Sequence, residues 1–190
     1  MKTPMADAIF SMMGNLRDKL SDIGASPGAV RAYIFGGCAV HLYTASRSSE
    51  DLDVELFSTV LSKRDIQLVT KNVEPVYFVD SEGDAAILAY DRNFNTTLGP
   101  LHEDYQDRAL VIDGDDSSPL LVCLPSPEDL ALSKLGRLGE DDVSDIVLLM
   151  SLPNASWEKL STLTEEASKY YVGRPGELTG KLEYVRNHRK

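Results

Sequence analysis

Residues 33–57 read Tyr33-Ile34-Phe35-Gly36-Gly37-Cys38-Ala39-Val40-His41-Leu42-Tyr43-Thr44-Ala45-Ser46-Arg47-Ser48-Ser49-Glu50-Asp51-Leu52-Asp53-Val54-Glu55-Leu56-Phe57. The apolar run from Ala32 to Phe35 predicts a short buried strand. Gly36-Gly37 breaks that strand, and Cys38 to Tyr43 predicts a helix of small and apolar residues. After a polar loop from Thr44 to Glu50, strict alternation predicts a second strand. On it Asp51, Asp53 and Glu55 share one face while Leu52, Val54 and Leu56 share the other. Carboxylates spaced i and i+2 on a strand repel one another unless something positive lies over them.

Metal-assisted phosphoryl or nucleotidyl transfer is the chemistry that uses such a pattern. Mg²⁺ binds oxygen through one or two carboxylates together with substrate phosphates. A glycine pair at a helix start lets backbone N–H groups approach a phosphate closely. In the order strand, Gly-Gly, helix, loop, Asp-x-Asp strand, the two features reinforce each other. Glu55 lies further along the same face and is expected to meet solvent.

On these residues the chain resembles the DNA polymerase β-type nucleotidyltransferase superfamily. The resemblance rests on Gly36-Gly37 followed by Arg47-x-Ser49-x-Asp51-Leu52-Asp53, and it is strongest to the small bacterial abortive-infection and toxin-type branch. Many members carry Gly-Ser where this chain has Gly36-Gly37. A second block, Leu130-x-Leu132-Ser133-Lys134-Leu135-Gly136-Arg137 followed by Asp142 and Asp145, is similar to a lysine-containing motif of that branch. There the lysine holds nucleotide phosphate and a nearby acid orients it.

The resemblance implies a small mixed β-sheet core with packed helices, α/β (α+β) in class, and a helical C-terminal extension. It also implies transfer of a nucleoside monophosphate from an NTP to an acceptor, with Mg²⁺ (or Mn²⁺) as cofactor. The site residues expected are Asp51, Asp53 and Lys134 for catalysis, with Asp51, Asp53 and Asp91 on the metal. Gly36, Gly37, Arg47, Ser49 and Arg137 are expected on the nucleotide. Asp91 is the choice for the third carboxylate because it ends the β run Ala85–Tyr90 and opens a loop rich in hydrogen-bonding groups; an Asp that only caps its own turn is the alternative. Arg137 has an alternative too, a salt bridge to Asp142 or Asp145. The acceptor implied is a tRNA end or a protein, and a cognate antitoxin would restrain the enzyme if the chain is the toxin of a pair. Two other readings stay open: an inactive nucleotide-binding or protein-interaction module, and an antitoxin-like enzyme that adenylylates its partner.

The bulk properties fit these expectations. The 190 residues suffice for a well-buried core, and 43% hydrophobic with 26% charged residues are those of a globular chain. A formal net charge of −11 argues against broad, sequence-independent DNA binding, which requires many phosphates to be neutralised. Cys38 and Cys123 lie far apart in apolar surroundings, so neither a disulfide framework nor a zinc site is expected. No apolar run approaches a membrane span. A cytoplasmic setting without membrane contact is the simplest expectation.

Along the rest of the chain, apolar residues at helical spacing predict a helix over Ala6–Ile23, with Ile9, Phe10, Met13, Leu16, Leu20 and Ile23 as its core face. Ser62 is the expected N-cap of a helix reaching Asn72. Val76–Val79 and Ala85–Tyr90 predict strands across the turn Asp80–Asp84, and Ala109–Ile112 with Leu120–Leu124 predict a hairpin. Ser126-Pro127-Glu128-Asp129 is a strong helix start, with Gly139 ending that helix at about Leu138 and Glu140 starting another. Ser156–Tyr170 and Glu177–Asn187 predict two more helices, and a basic, aromatic chain end includes Arg186, Arg189 and Lys190. The expected division is a nucleotidyltransferase-like core over 1–150 and a helical extension over 151–190. His41 is expected to be a packed or capped histidine rather than a base.

Overall fold

The computed structural model describes residues 2–188; Arg189 and Lys190 of the basic tail lie outside the described residues. It is an α/β fold with mixed sheets of four and three strands and seven α-helices among the described residues. Two compact units divide the chain. One comprises the chain up to Phe94 together with Leu110–Leu124; the other comprises Asn95–Ala109 and the chain from Pro125 onward.

The first unit is built on α1 (Pro4–Asp22). Thr3 caps it by accepting from the Ala6 N–H at 3.1 Å, and Pro4 fills a first-turn position where a missing N–H costs nothing. Ile9, Met13, Leu16 and Leu20 form its buried face, as the spacing predicts, and Met12 joins them. Each such side chain contributes about 1.5–3 kcal/mol on burial, against about 1 kcal/mol for the cap, so packing is what holds the helix. Phe10 is only partly buried and Ile23 is exposed, because the helix ends at Asp22.

That helix packs on strands of both sheets. The larger sheet has the order β3 (Val54–Phe57), β1 (Val30–Ile34), β7 (Leu120–Leu124), β6 (Leu110–Asp113). In it β1 and β7 run parallel, with Ala32 opposite Val122, and the outer pairs are antiparallel. The smaller sheet has the order β2 (Asp51–Leu52), β5 (Ala85–Tyr90), β4 (Val76–Val79). The expected strands at Val76–Val79 and Ala85–Tyr90 form with those bounds, and the hairpin forms as β6 and β7. Ser62 caps α3 (Lys63–Lys71) in a reciprocal box with Asp65.

One sequence expectation is corrected here. Asp51 to Leu56 is not one strand. Leu52 pairs in parallel with Tyr90 in the small sheet, whereas Val54 pairs antiparallel with Ile34 in the large one. The chain passes between sheets at Asp53, whose carbonyl accepts from the Phe35 N–H at 2.8 Å. Alternation specifies which side chains are buried, but it does not reveal which strand supplies the hydrogen bonds.

The second unit contains α4 (Pro127–Leu135), α5 (Glu140–Met150), α6 (Trp157–Ala167) and α7 (Glu177–Asn187). Ser126 caps α4 as expected, accepting from Asp129 N–H at 3.2 Å. The helix stops at Leu135 rather than Leu138, because Leu138 takes a left-handed conformation (φ 53°) and its N–H bonds back to the Lys134 carbonyl. Gly139 then opens α5, its N–H donating to Asp142 at 2.9 Å, so it starts a helix rather than ending one. Leu130, Ala131, Leu132 and Leu135 are all buried, and α4 packs against α5, α6 and α7. For that reason the compact units do not divide at residue 150. α4 and α5 bury their apolar faces with the C-terminal helices.

Candidate functional site

α2 (Gly36–Thr44) begins directly at the glycine pair, so the glycines are its first turn rather than a linker before it. Its N-cap residue, Phe35, makes no side-chain capping bond, which leaves the first-turn N–H groups to other partners. Gly36 has φ 62°, a conformation that disfavours any side chain. A Cβ there would also overlap the Asp53 carboxylate, with Oδ2 the first atom met. The acid and the helix start are therefore in direct apposition, and only glycine permits it.

Gly37 is crowded by the loop that precedes the acidic strand. A Cβ on it would lie 3.0 Å from Ser49 Cβ, 3.1 Å from Ser49 Oγ and 3.1 Å from Arg47 Nε. Ser49 Oγ donates to the Asp51 carbonyl at 2.9 Å, and Cys38 Sγ donates to the same carbonyl at 3.2 Å. Cys38 is fully buried, and its thiol is pushed up to about 12, first by burial and then by the Asp53 and Asp51 charges. Both carboxylates thus act on the first turn of α2. Five residues quoted from the sequence motif, Gly36, Gly37, Arg47, Ser49 and Asp53, meet at one place.

His41 holds the loop from below. Its Nδ1 lies 2.5 Å from the Arg47 carbonyl, which can only accept, so Nδ1 carries the proton. Nε2 lies 2.7 Å from the Thr3 hydroxyl, which also accepts from Ala6 N–H. A packed histidine was expected; its bridge between the α1 cap and the Arg47 loop was not, because residues 3 and 47 are remote in sequence.

Asp51 is exposed and lines a cleft of about 340 Å³ with Val73, Pro75, Ala89, Tyr90, Asp91, Arg92 and Asn93. Asp91 follows Tyr90, the residue paired with Leu52, and its N–H bonds to the Leu52 carbonyl at 3.1 Å. One of its oxygens accepts from Asn93 N–H at 2.7 Å, the turn-capping alternative for this residue. The tyrosine beside it, Tyr90, is pushed up to about 12 by burial and then by the Asp91 charge. Phe94 packs on Phe35 with ring centroids 5.5 Å apart, tying the end of this loop to the residue ahead of Gly36. Among the described residues no three His, Cys, Asp or Glu side chains close into a metal cage. Asp51 and Asp53 offer hard carboxylate oxygens, the donor type that Mg²⁺ takes one or two of when substrate phosphates complete its shell. Glu55 is half-buried and pairs across from Tyr33 on the large sheet.

Lys134 and Arg137 belong to the second unit and are engaged there. Lys134 is 8% exposed, with Nζ 2.7 Å from Asp145 and 3.5 Å from Asp142, acids that are 1% and 2% exposed. Arg137 forms a bidentate pair with Asp142 at 2.8 and 2.9 Å, the salt-bridge alternative for this residue. Burial raises the Asp142 carboxyl, but Arg137, the Gly139 N–H and Lys134 outweigh it and hold the group below the usual carboxylate range.

A glycine-started helix opposed by the Asp53 carboxylate, within an α/β fold of mixed sheets, is what brings the motif residues together. The chain belongs to the family described as nucleotidyltransferase of unknown function (DUF6036), which matches residues 12–184. No functionally curated protein matches it. No helix of the described residues is long and apolar enough to cross a membrane.

Proposed function

We propose that the chain is a Mg²⁺-dependent nucleotidyltransferase that moves a nucleoside monophosphate from an NTP to an acceptor hydroxyl and releases pyrophosphate. The observation that carries this reading is the apposition of Asp53 and Gly36. It brings a cation-seeking group and an anion-seeking helix start within reach of one polyphosphate.

In this reading the first-turn N–H groups at Gly36 and Gly37 receive phosphate oxygens, and Arg47 offers its planar fork to the same chain. Ser49 fixes the backbone ahead of Asp51 and presents its hydroxyl beside Gly37. Asp51 and Asp53 would hold Mg²⁺ (or Mn²⁺), and Asp91 faces the same cleft as Asp51. When bound, the cation neutralises phosphate charge and stabilises the leaving pyrophosphate. The acceptor oxygen forms a bond to the α-phosphorus as the bond to the pyrophosphate oxygen breaks, and the hydroxyl proton is released to water. The protein's contribution is positioning and charge, as is general for phosphoryl transfer. The toxin-type resemblance adds a tRNA end or a protein as acceptor and a cognate antitoxin as restraint.

The test uses each α-labelled NTP with Mg²⁺, candidate acceptors and the full chain, beside Asp51→Ala/Asp53→Ala. Label transfer that vanishes in the double variant supports the reading. Nucleotide binding with no transfer to any acceptor, unchanged by Mg²⁺, would identify a binding module instead.

A further inference from the structure

The face of the small sheet that carries Asp51 continues as an exposed apolar surface. Asp51 is in register with Ala89, so Ala89, Ile87 and Ala85 share its side of β5, and Tyr77 and Val79 on β4 lie opposite Ile87 and Ala85. The other side is core: Leu52 and Leu88 are fully buried. On the outer side Tyr77 is 78% exposed and Val79 60%, well beyond what a strand in a packed sheet needs to leave open. The rim of this surface is acidic. Between residues 73 and 93 the chain carries Glu74, Asp80, Glu82, Asp84 and Asp91 against Arg92 alone, and Glu50 and Asp51 add two more acids at the cleft.

We propose that this face docks the acceptor and that the acceptor is a basic protein segment presenting a hydroxyl side chain; the inference rests on the nucleotidyltransferase reading above. The charge decides between the two acceptor classes. A polynucleotide would bring phosphates against these seven acids, with Arg92 the one cation along residues 73–93, losing the counterion-release term that drives RNA binding. A lysine- or arginine-rich segment gains from the same acids, and its apolar residues cover Tyr77, Ile87 and Val79. The surface runs into the Asp51–Asp91 cleft, so a serine, threonine or tyrosine of the docked segment reaches the site. Its oxygen then bonds to the α-phosphorus, pyrophosphate leaves with the electron pair, and the proton passes to water.

The experiment measures binding without nucleotide first, then transfer. The probes are fluorescein-labelled short peptides alternating lysine and valine around one serine, their glutamate counterparts, and total tRNA, each with the full chain. The lysine peptide binds, more weakly at high salt; the glutamate peptide and the tRNA do not. Tyr77→Ser/Val79→Ser weakens the lysine peptide about tenfold or more. Glu82→Lys/Asp84→Lys does the same through charge alone, which keeps the test sound if the first variant misfolds. Label from NTP then appears on the serine of the bound peptide. The proposal is overturned if tRNA binds and takes the label while the peptide does not bind, or if the peptide binds the wild type and both folded variants equally. Peptide binding of the expected pattern with no label transferred to any acceptor would leave the docking surface standing and remove the nucleotidyltransferase reading.

Discussion

The Asp53 carboxylate occupies the space into which a side chain on Gly36 would project. Because Gly36 also has φ 62°, a single substitution tests both constraints. Gly36→Ala forces a methyl group onto the carboxylate and strains the backbone by about 1–3 kcal/mol. Nucleotide transfer is expected to fall about 100-fold or more, far beyond what the accompanying drop in thermal midpoint explains. Titration of Mn²⁺ with nucleotide reads the displaced carboxylate directly. Wild-type ion affinity in the variant would count against the arrangement.

His41 couples the Thr3 cap to the Arg47 loop through two hydrogen bonds. His41→Ala leaves the partly buried Arg47 carbonyl without its donor and costs about 1 kcal/mol in urea unfolding. Freed from this anchor, Arg47 loses its fixed position. KM for NTP is expected to rise about tenfold with kcat reduced less. A fall in kcat alone would assign His41 a different role.

Lys134 meets two acids that are almost fully buried. Lys134→Met leaves them short of a cation and destabilises the fold by about 3–5 kcal/mol. Arg137 is 79% exposed on its side chain and leaves Asp142 still facing Lys134 and the Gly139 N–H, so Arg137→Ala costs less, about 1–3 kcal/mol. Chemical denaturation of both variants checks the ratio. Equal losses would contradict the burial difference.

Asp142 also sets a pH dependence. Its folded carboxyl titrates below the ordinary range, so the unfolded chain binds the proton more readily. The contribution is present above the unfolded value of about 3.9 and is lost as pH falls through the lower folded value. Urea midpoints across that acid window should drop less steeply for Asp142→Asn than for the wild type, although the variant starts from a lower value at neutral pH.

Cys38 provides a probe of the closed helix start. Its thiol is buried and pushed up to about 12, so at mildly alkaline pH it stays protonated and inert. Ellman's reagent should leave it unmodified in the native protein and react once denaturant is added. Rapid native reaction would show that the first turn of α2 opens.

Local chemistry was enough for the sequence to determine much of this protein. The cap at Ser126, the strands at Val76–Val79 and Ala85–Tyr90, the buried stripe of α1 and the order Gly-Gly, Arg-x-Ser-x-Asp-x-Asp all follow from side-chain size, period and charge within a few residues. Only the tertiary structure decided that Asp51 and Asp53 straddle two sheets, because strand pairing depends on partners remote in sequence, at Tyr90 and Ile34. It alone joined α4 and α5 to the C-terminal helices, turned Lys134 toward Asp145, and aligned Tyr77 with the face of Asp51. Those relationships are set by which surfaces exclude water together, a property of the folded chain that no short window of residues contains.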